Sequence, residues 1–465
     1  MHTINTELEP GLTVPAVQIL PAVEPPAPVL PRWNPLTRLA FRFSAVYFTL
    51  YILTTQMFSG LVRLPFEWRI PPPGSFGWFR SWVSWIATDI IGFNAPLTQF
   101  SGSGDKPIDY AQALGLLCVA GIATLLWSAV DRRRKSYVGA HKWFRLFLRF
   151  ALAGTWISYG MVKAFPLQMS YPAFTRLLEP YGHFSLMGVL WAQIGASPAY
   201  ERFTGIFELS AAVLLMVPGL TLAGAVVSLI AAVSIFLLNM TYDVPVKLFS
   251  LHLIVMSLVL LGPDLKRLFN LFVLNRPVGP STARPLFQRP LLRRIAVGMQ
   301  LGIAGHFLWS SYTGAAASYA QSGPNRPKPP LYGIWTIDRM TINGVERAAL
   351  VTDYDRWRRL LIQVPTAITF QRMDDTFTGV SAKLDPATKT FALTRGGAPA
   401  LPGTTPPPAK PVGSFTYEQP APDKLILDGE LDGKKMRMEA SAFDMQTLRL
   451  LQSRFRWIQD NPFNR

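Results

Sequence analysis

The chain divides at the point where the period of its hydrophobic positions changes. Up to about residue 320, apolar residues run in long blocks separated by short polar and basic stretches. After Pro330 they alternate with polar residues at period two. Seven blocks hold the roughly 17–25 mostly apolar residues that a helix needs to cross a hydrocarbon core, at about 36–60, 109–130, 146–165, 203–217, 220–240, 246–262 and 294–318. Pro218 and Gly219 follow the fourth at once, which predicts a turn between two antiparallel helices. Residues 76–93 carry Trp78, Trp82 and Trp85 with few charges, a pattern that predicts a helix lying in the membrane interface. Residues 166–201 alternate aromatics with Pro and Gly and are expected to fold back onto the outer face.

In the last part of the chain, runs such as TFTGVSAKL, KTFALT, GSFTYE, KLILDGEL and KKMRMEA are punctuated by DPAT, QPAPD and LDG. They predict successive antiparallel hairpins. Around eight short strands of this kind form a meander that closes into a small barrel, with the Pro-rich stretch at 398–411 as a loop within it. The expected fold is therefore an α-helical polytopic membrane bundle of about seven transmembrane helices plus a C-terminal all-β domain. Its divisions are a disordered cytoplasmic tail (1–31), a transmembrane pair with an outer interfacial loop (32–145), a four-helix bundle (146–275), a basic linker with a seventh helix (276–326), and a β-rich domain (327–465).

Composition decides the setting. Hydrophobic residues make up 49% of the 465 positions, and Lys and Arg outnumber Asp and Glu by 45 to 28. A net charge of +17 would suit nucleic acid, but the basic residues sit in short runs beside apolar blocks, as topology signals do. Nucleic acid is excluded as a partner, and the lipid bilayer takes its place. With the N-terminus in the cytoplasm, 16 Lys and Arg fall on inside segments and 6 on outside loops. The positive-inside rule then puts the β-domain in the periplasm or outside the cell, on a bacterial inner membrane. The tail has no basic start followed by an apolar core, so it is not read as a signal peptide. The single cysteine, Cys118, lies in an apolar run and is expected to be a small buried side chain without redox chemistry.

Ionisable groups in apolar helices are expensive, so each is a candidate site or a structural ion pair. Lys163 follows Gly160 by three residues, and Glu208 follows Gly205 by three. With alternating helices these two, Gln168, Asn239, Tyr242, Asp243, Lys247 and His252 all fall at the outer level. They are expected to line a polar pocket in which Lys163 pairs with Glu208 and His252 exchanges protons. A quinone head group or a small anion would fit it. The bland alternatives are a packing ion pair, a Lys247 that snorkels to head groups, an Asp243 that caps a turn, and a His252 or His306 that bonds a neighbouring helix. There is no phosphate-binding loop, no dinucleotide fingerprint, no nucleophile elbow, no metal-ligand spacing and no pair of His for haem. No metal, no firmly bound cofactor and no catalytic residue is assigned.

Two resemblances follow from short motifs. Arg149–Gly154 (RFALAG), Tyr159–Lys163 (YGMVK), Arg202–Glu208 (RFTGIFE) and the closing Gly262-Pro263-Asp264 resemble the DoxX family of four-helix bacterial membrane proteins over about residues 146–275, roughly a quarter of the chain. The resemblance implies functional positions at Lys163, Arg202 and Glu208, and a component of a membrane redox system with membrane or periplasmic partner subunits. The two extra N-terminal helices, the seventh helix and the β-domain depart from that family's pattern. Gly333 and Trp335 at the start of the first strand, with Arg456 and Trp457 near the end, resemble a lipocalin-like signature in which a late Arg packs over the Trp. The competing reading from this side is a non-catalytic membrane-anchored binding protein whose barrel holds a lipid or other hydrophobic ligand. A transporter is a third reading, weakened by the single helix break at Tyr242–Lys247.

Overall fold

The computed structural model describes residues 32–62, 70–93, 102–279, 285–396, 409–453 and 455–462. The tail at 1–31 and most of the Pro-rich stretch at 398–411 lie outside the described residues. The helical part contains α1 (Pro35–Thr54), α2 (Met57–Leu61), α3 (Gly77–Trp85), α4 (Pro107–Val130), α5 (Val138–Ala164), α6 (Phe174–Leu178), α7 (Leu186–Gly195), α8 (Pro198–Met216), α9 (Thr221–Thr241), α10 (Lys247–Leu261), α11 (Leu265–Phe272) and α12 (Pro290–Ser322). Each of the seven apolar blocks is helical. Four helical stretches are long and apolar enough to cross a membrane: α1, α4, α9, and α10 continued through α11.

The expected count of seven spans is corrected accordingly, because charge dilutes the other three. The first half of α5 carries His141, Lys142, Arg145 and Arg149, α8 carries Glu201, Arg202 and Glu208, and α12 opens on Arg293 and Arg294. Cys118 corrects a second expectation. It is exposed, beside Leu117 and Val119 on the outward apolar face of α4. The interfacial helix is present as α3, which buries Phe79 and Val83 and leaves Trp78 and Trp85 exposed.

Close backbone packing and buried hydroxyls hold the bundle together. A Cβ at Gly154 of α5 would lie 2.4 Å from Gly60 O of α2, an approach that only a small residue allows. Trp156 Nε1 donates to Ser228 Oγ at 2.8 Å, and Ser228 bonds Ser257 at 2.8 Å, joining α5, α9 and α10. Contacts at the helix ends define two faces. At one, Arg38 donates to Arg134 O and Lys142 to Pro285 O, gathering the starts of α1 and α5 with the loop before α12. At the other, the rings of Phe165 and Tyr319 meet, so the ends of α5 and α12 lie together.

The β-domain is an eight-stranded antiparallel barrel with one extra short strand. Its strands are β1 (Gly333–Ile342), β2 (Val345–Glu346), β3 (Trp357–Val364), β4 (Ala367–Arg372), β5 (Phe377–Asp385), β6 (Thr390–Arg395), β7 (Lys410–Ala421), β8 (Lys424–Leu431) and β9 (Lys434–Ala442). Neighbours pair in chain order, β1 pairing with both β3 and β9 to close the barrel, while β2 pairs with β1 at its end. The tight turns use residues that tolerate positive φ, Asn343-Gly344 after β1 and Asp432-Gly433 after β8. Alternate side chains from the eight closed strands point inward and bury one cluster, including Trp335, Leu360, Phe391, Leu425 and Met438, with Trp357 and Phe370 stacked at 3.8 Å. A short helix, α13 (Arg449–Gln452), follows.

The lipocalin-like signature is half present. Trp335 is a core anchor, 4% exposed, and donates to Leu331 O at 2.9 Å. Gly333 opens the strand at a φ of 152°. Arg456 and Trp457 do not join it. Both are exposed, Trp457 at 91%. The arginine buried in the barrel is Arg356, which donates to Ile337 O, Arg347 O and Trp357 O.

Candidate functional site

Two glycines set the site. A Cβ at Gly205 would lie 2.6 Å from Gly160 O and 2.4 Å from Ala164 N. Only residues without side chains let α5 and α8 approach so closely. One helical turn onward in each helix stand Lys163 and Glu208, and Lys163 Nζ donates to Glu208 Oε1 at 2.6 Å. Both are buried, at 7% and 3% exposure. Two charges removed from water are stable only when paired and hydrogen-bonded, and this pair is both. The Lys163 ammonium also lies 5.7 Å from the centre of the Tyr159 ring, whose hydroxyl accepts from Gln56.

A second carboxylate completes the cluster. Glu201, two helical turns before Glu208 on the same helix, is fully buried, and its Oε1 accepts from Met169 N at 2.8 Å. Lys163 is within electrostatic reach of it. Three acceptor oxygens in this neighbourhood have no hydrogen-bond partner among the described residues: Glu208 Oε2, Glu201 Oε2 and Gln168 Oε1. Buried acceptors are normally satisfied, so the site is rich in lone pairs and short of donors. The buried part of the site holds one cation, Lys163, among two carboxylates and an amide oxygen, with the exposed Arg202 also within electrostatic reach of Glu201. Its unpartnered acceptors favour a ligand that brings O–H or N–H groups over an anion.

The expected common pocket resolves into three separate contact sets. Lys163, Glu208 and Gln168 belong to the cluster just described. Asn239, Tyr242, Asp243 and Lys247 belong to the α9–α10 turn. There Asn239 donates to Val246 O and Ser250 Oγ, Lys247 pairs with Asp243 at 2.7 Å, and Tyr242 packs on α7. Asp105 takes the backbone N–H groups of Lys247 and Leu248 at 2.8 and 2.9 Å, capping α10. His252 faces α1, where its ring stacks on Tyr51 at 3.9 Å and Nε2 lies 2.6 Å from Tyr47 Oη. Its Nδ1 lies 2.7 Å from Leu248 O. A carbonyl only accepts, so Nδ1 carries hydrogen and, in the neutral ring, Nε2 accepts from Tyr47. Arg202 is exposed at the start of α8, outside the buried Lys163–Glu208 pair but beside Glu201.

The site is tied to the barrel through the loop that Glu201 anchors. Five residues after Met169, Phe174 packs against Ile334 and Leu361, and its N–H donates to Gln363 Oε1 at 3.1 Å. Arg326, just after α12, donates to the carbonyl of the same Gln363. The barrel therefore rests on the face of the bundle where Lys163, Glu201 and the α9–α10 turn lie. Neither Glu201 nor the Tyr47–Tyr51 seat of His252 was expected from the sequence. Among the described residues no group of His, Cys, Asp and Glu could hold a metal ion.

Comparison with known proteins is sparse. A stretch of 129 residues, 28% of this chain, is 34% identical to the uncharacterized protein YwoB of Bacillus subtilis (strain 168) and spans 79% of that protein. No family model and no solved structure matches the chain.

Proposed function

The chain belongs to the family of YwoB, and we propose that it is a quinone-binding component of a membrane redox system, with the head group held between α5 and α8. The observation that carries this reading is the buried Lys163–Glu208 pair beside three unpartnered acceptor oxygens. A quinol presents two hydroxyl donors to such acceptors, and a quinone carbonyl accepts from an ammonium. When bound, the quinone supplies the two-electron, two-proton chemistry. Lys163 orients the ring oxygen, and Glu208 and Glu201 hold protons that the head group gives up or takes. The electrons require a partner subunit that carries a redox centre. The DoxX-like motifs around Lys163 and Glu208 point the same way.

Of the two ligands expected for this site, the donor shortage favours the quinone over a small anion. The competing lipid-binding barrel draws no support from an interior occupied by 21 buried side chains, since an eight-stranded barrel is just wide enough to be filled this way. The location that accompanies the proposal is a bacterial inner membrane, with the N-terminus in the cytoplasm and the barrel on the opposite face. The basic residues at the starts of α1 and α5 support that direction. Full-length protein in lipid nanodiscs should bind a short-chain benzoquinone, and Lys163→Met and Glu208→Gln should each weaken binding roughly tenfold or more, the worth of a charged hydrogen bond. Unaltered affinity in both variants would remove the site assignment.

A further inference from the structure

A large cavity lies at the opposite face of the bundle, among the starts of α1, α5, α9 and α12 and the ends of α8 and α10. Its volume is about 1450 Å³, above the range of roughly 300–1000 Å³ usual for small-molecule sites. Five cations line it, Lys142, Arg145, Arg149, Arg267 and Arg293, against a single carboxylate, Asp264. Four of the five make bonds within the fold. Arg149 donates to Leu215 O and Met216 O at the end of α8, and Arg145 donates to Leu260 O at the end of α10, where cations complement the helix dipole. Arg267 pairs with Asp264 at 2.6 Å through one terminal nitrogen and donates from Nε to Gly279 O at 3.3 Å, which leaves its other terminal nitrogen available. Lys142 makes one bond, to Pro285 O. Arg293 is exposed, and its side chain has no hydrogen-bond or ion-pair partner among the described residues. The charge excess is not consumed by the fold.

Most of the remaining wall is apolar, with Phe41, Leu146, Leu222 and Phe287 among its residues. Cations on one part of the wall and hydrocarbon on the rest complement an amphiphile with an anionic head. A free anion would leave the apolar wall unmatched, and an uncharged lipid would leave the cations unmatched. We propose that this cavity is a binding site for an anionic phospholipid, its phosphate held by Lys142, Arg267 and Arg293 and its acyl chains against the Phe41–Leu222–Phe287 wall. Arginine suits this role because its planar fork matches phosphate oxygens two at a time. The site is separate from the Lys163–Glu208 cluster, so either assignment can fail without the other.

Native mass spectrometry of the detergent-purified full chain tests the proposal, with phosphatidylglycerol, phosphatidylcholine and inorganic phosphate as probes. The wild type should retain one phosphatidylglycerol in preference to phosphatidylcholine by about tenfold. Arg293→Gln should cut that preference about fivefold, the order expected for one basic contact near an anionic head group, and Lys142→Gln/Arg293→Gln should abolish it. The Arg293 side chain has no partner among the described residues, so its variant tests binding without disturbing the bundle. Equal retention of the two lipids by the wild type would overturn the proposal. So would an unchanged preference in both variants, or inorganic phosphate retained alone and displacing phosphatidylglycerol.

Discussion

Lys163 Nζ and Glu208 Oε1 lie 2.6 Å apart across the contact where Gly160 and Gly205 let two helices meet backbone to backbone. The ion pair and the glycine pair are one device. The glycines set a separation at which the two side chains bridge the helices, and the pair offsets the cost of burying either charge alone. Removing one partner strands the other. Lys163→Met or Glu208→Gln should destabilise the protein by about 3–5 kcal/mol in detergent unfolding, while Lys163→Met/Glu208→Leu should recover most of the loss. A double variant as unstable as the sum of the singles would show that the two groups act independently.

The glycine contact makes its own prediction. Gly205→Ala forces a methyl to within 2.4 Å of Ala164 N, which is backbone and cannot yield locally. The helices must separate, at a cost of about 1–3 kcal/mol. Gly121→Ala, inside α4 where a Cβ meets nothing within 4 Å, is the control and should not lower the unfolding midpoint, since Ala for Gly in a helix interior gains up to about 1 kcal/mol.

How far the site was legible in the sequence follows from which contacts are local. Lys163 and Glu208 stood out because an ionisable residue in an apolar helix is costly, and each follows a glycine by one turn. Glu201 did not, since it sits in the first turn of α8 beside Arg202, where an acidic residue is ordinarily a solvated cap. The seat of His252 joins residues 205 positions apart, and nothing in either helix announces the other. The basic cavity was hidden for a different reason: its arginines had been accounted for as topology signals. Period-two alternation found the barrel, but a Gly-x-Trp and a late Arg-Trp are too short to fix which arginine lies inside. Arg356 is the buried one, and Arg456 is in solvent.

That distinction is testable in the barrel. Arg356→Ala removes the donor to Ile337 O, Arg347 O and Trp357 O and should lower stability by roughly 3 kcal/mol. Trp335→Ala should cost about 3–5 kcal/mol, whereas Trp457→Ala should change it by less than about 0.5 kcal/mol. A large loss on replacing Trp457 would place the C-terminal segment against the barrel.

Acid should weaken the barrel through Asp353. Arg347 binds both of its carboxylate oxygens, at 2.7 and 2.8 Å, and holds the carboxyl below the usual carboxylate range. A group depressed in the folded state contributes stability that is present above its unfolded value, about 3.9, and is lost as pH falls through the folded value. The stability gap between wild type and Asp353→Asn in thermal unfolding should therefore be full at pH 7, begin to narrow as pH falls below about 4, and close as pH passes the lower folded value. A gap that stays constant down to pH 3 would remove Asp353 as the titrating group.

The central claim is that a quinone head group sits between α5 and α8. Photo-cross-linking of an azido-quinone to the full-length protein in nanodiscs, followed by peptide mapping, tests it most directly. The predicted adducts lie on the segments around Tyr159–Met169 and Glu201–Leu209, and they disappear with excess unlabelled quinone. Adducts confined to the barrel, or spread over the lipid-facing helices and insensitive to competition, would contradict it.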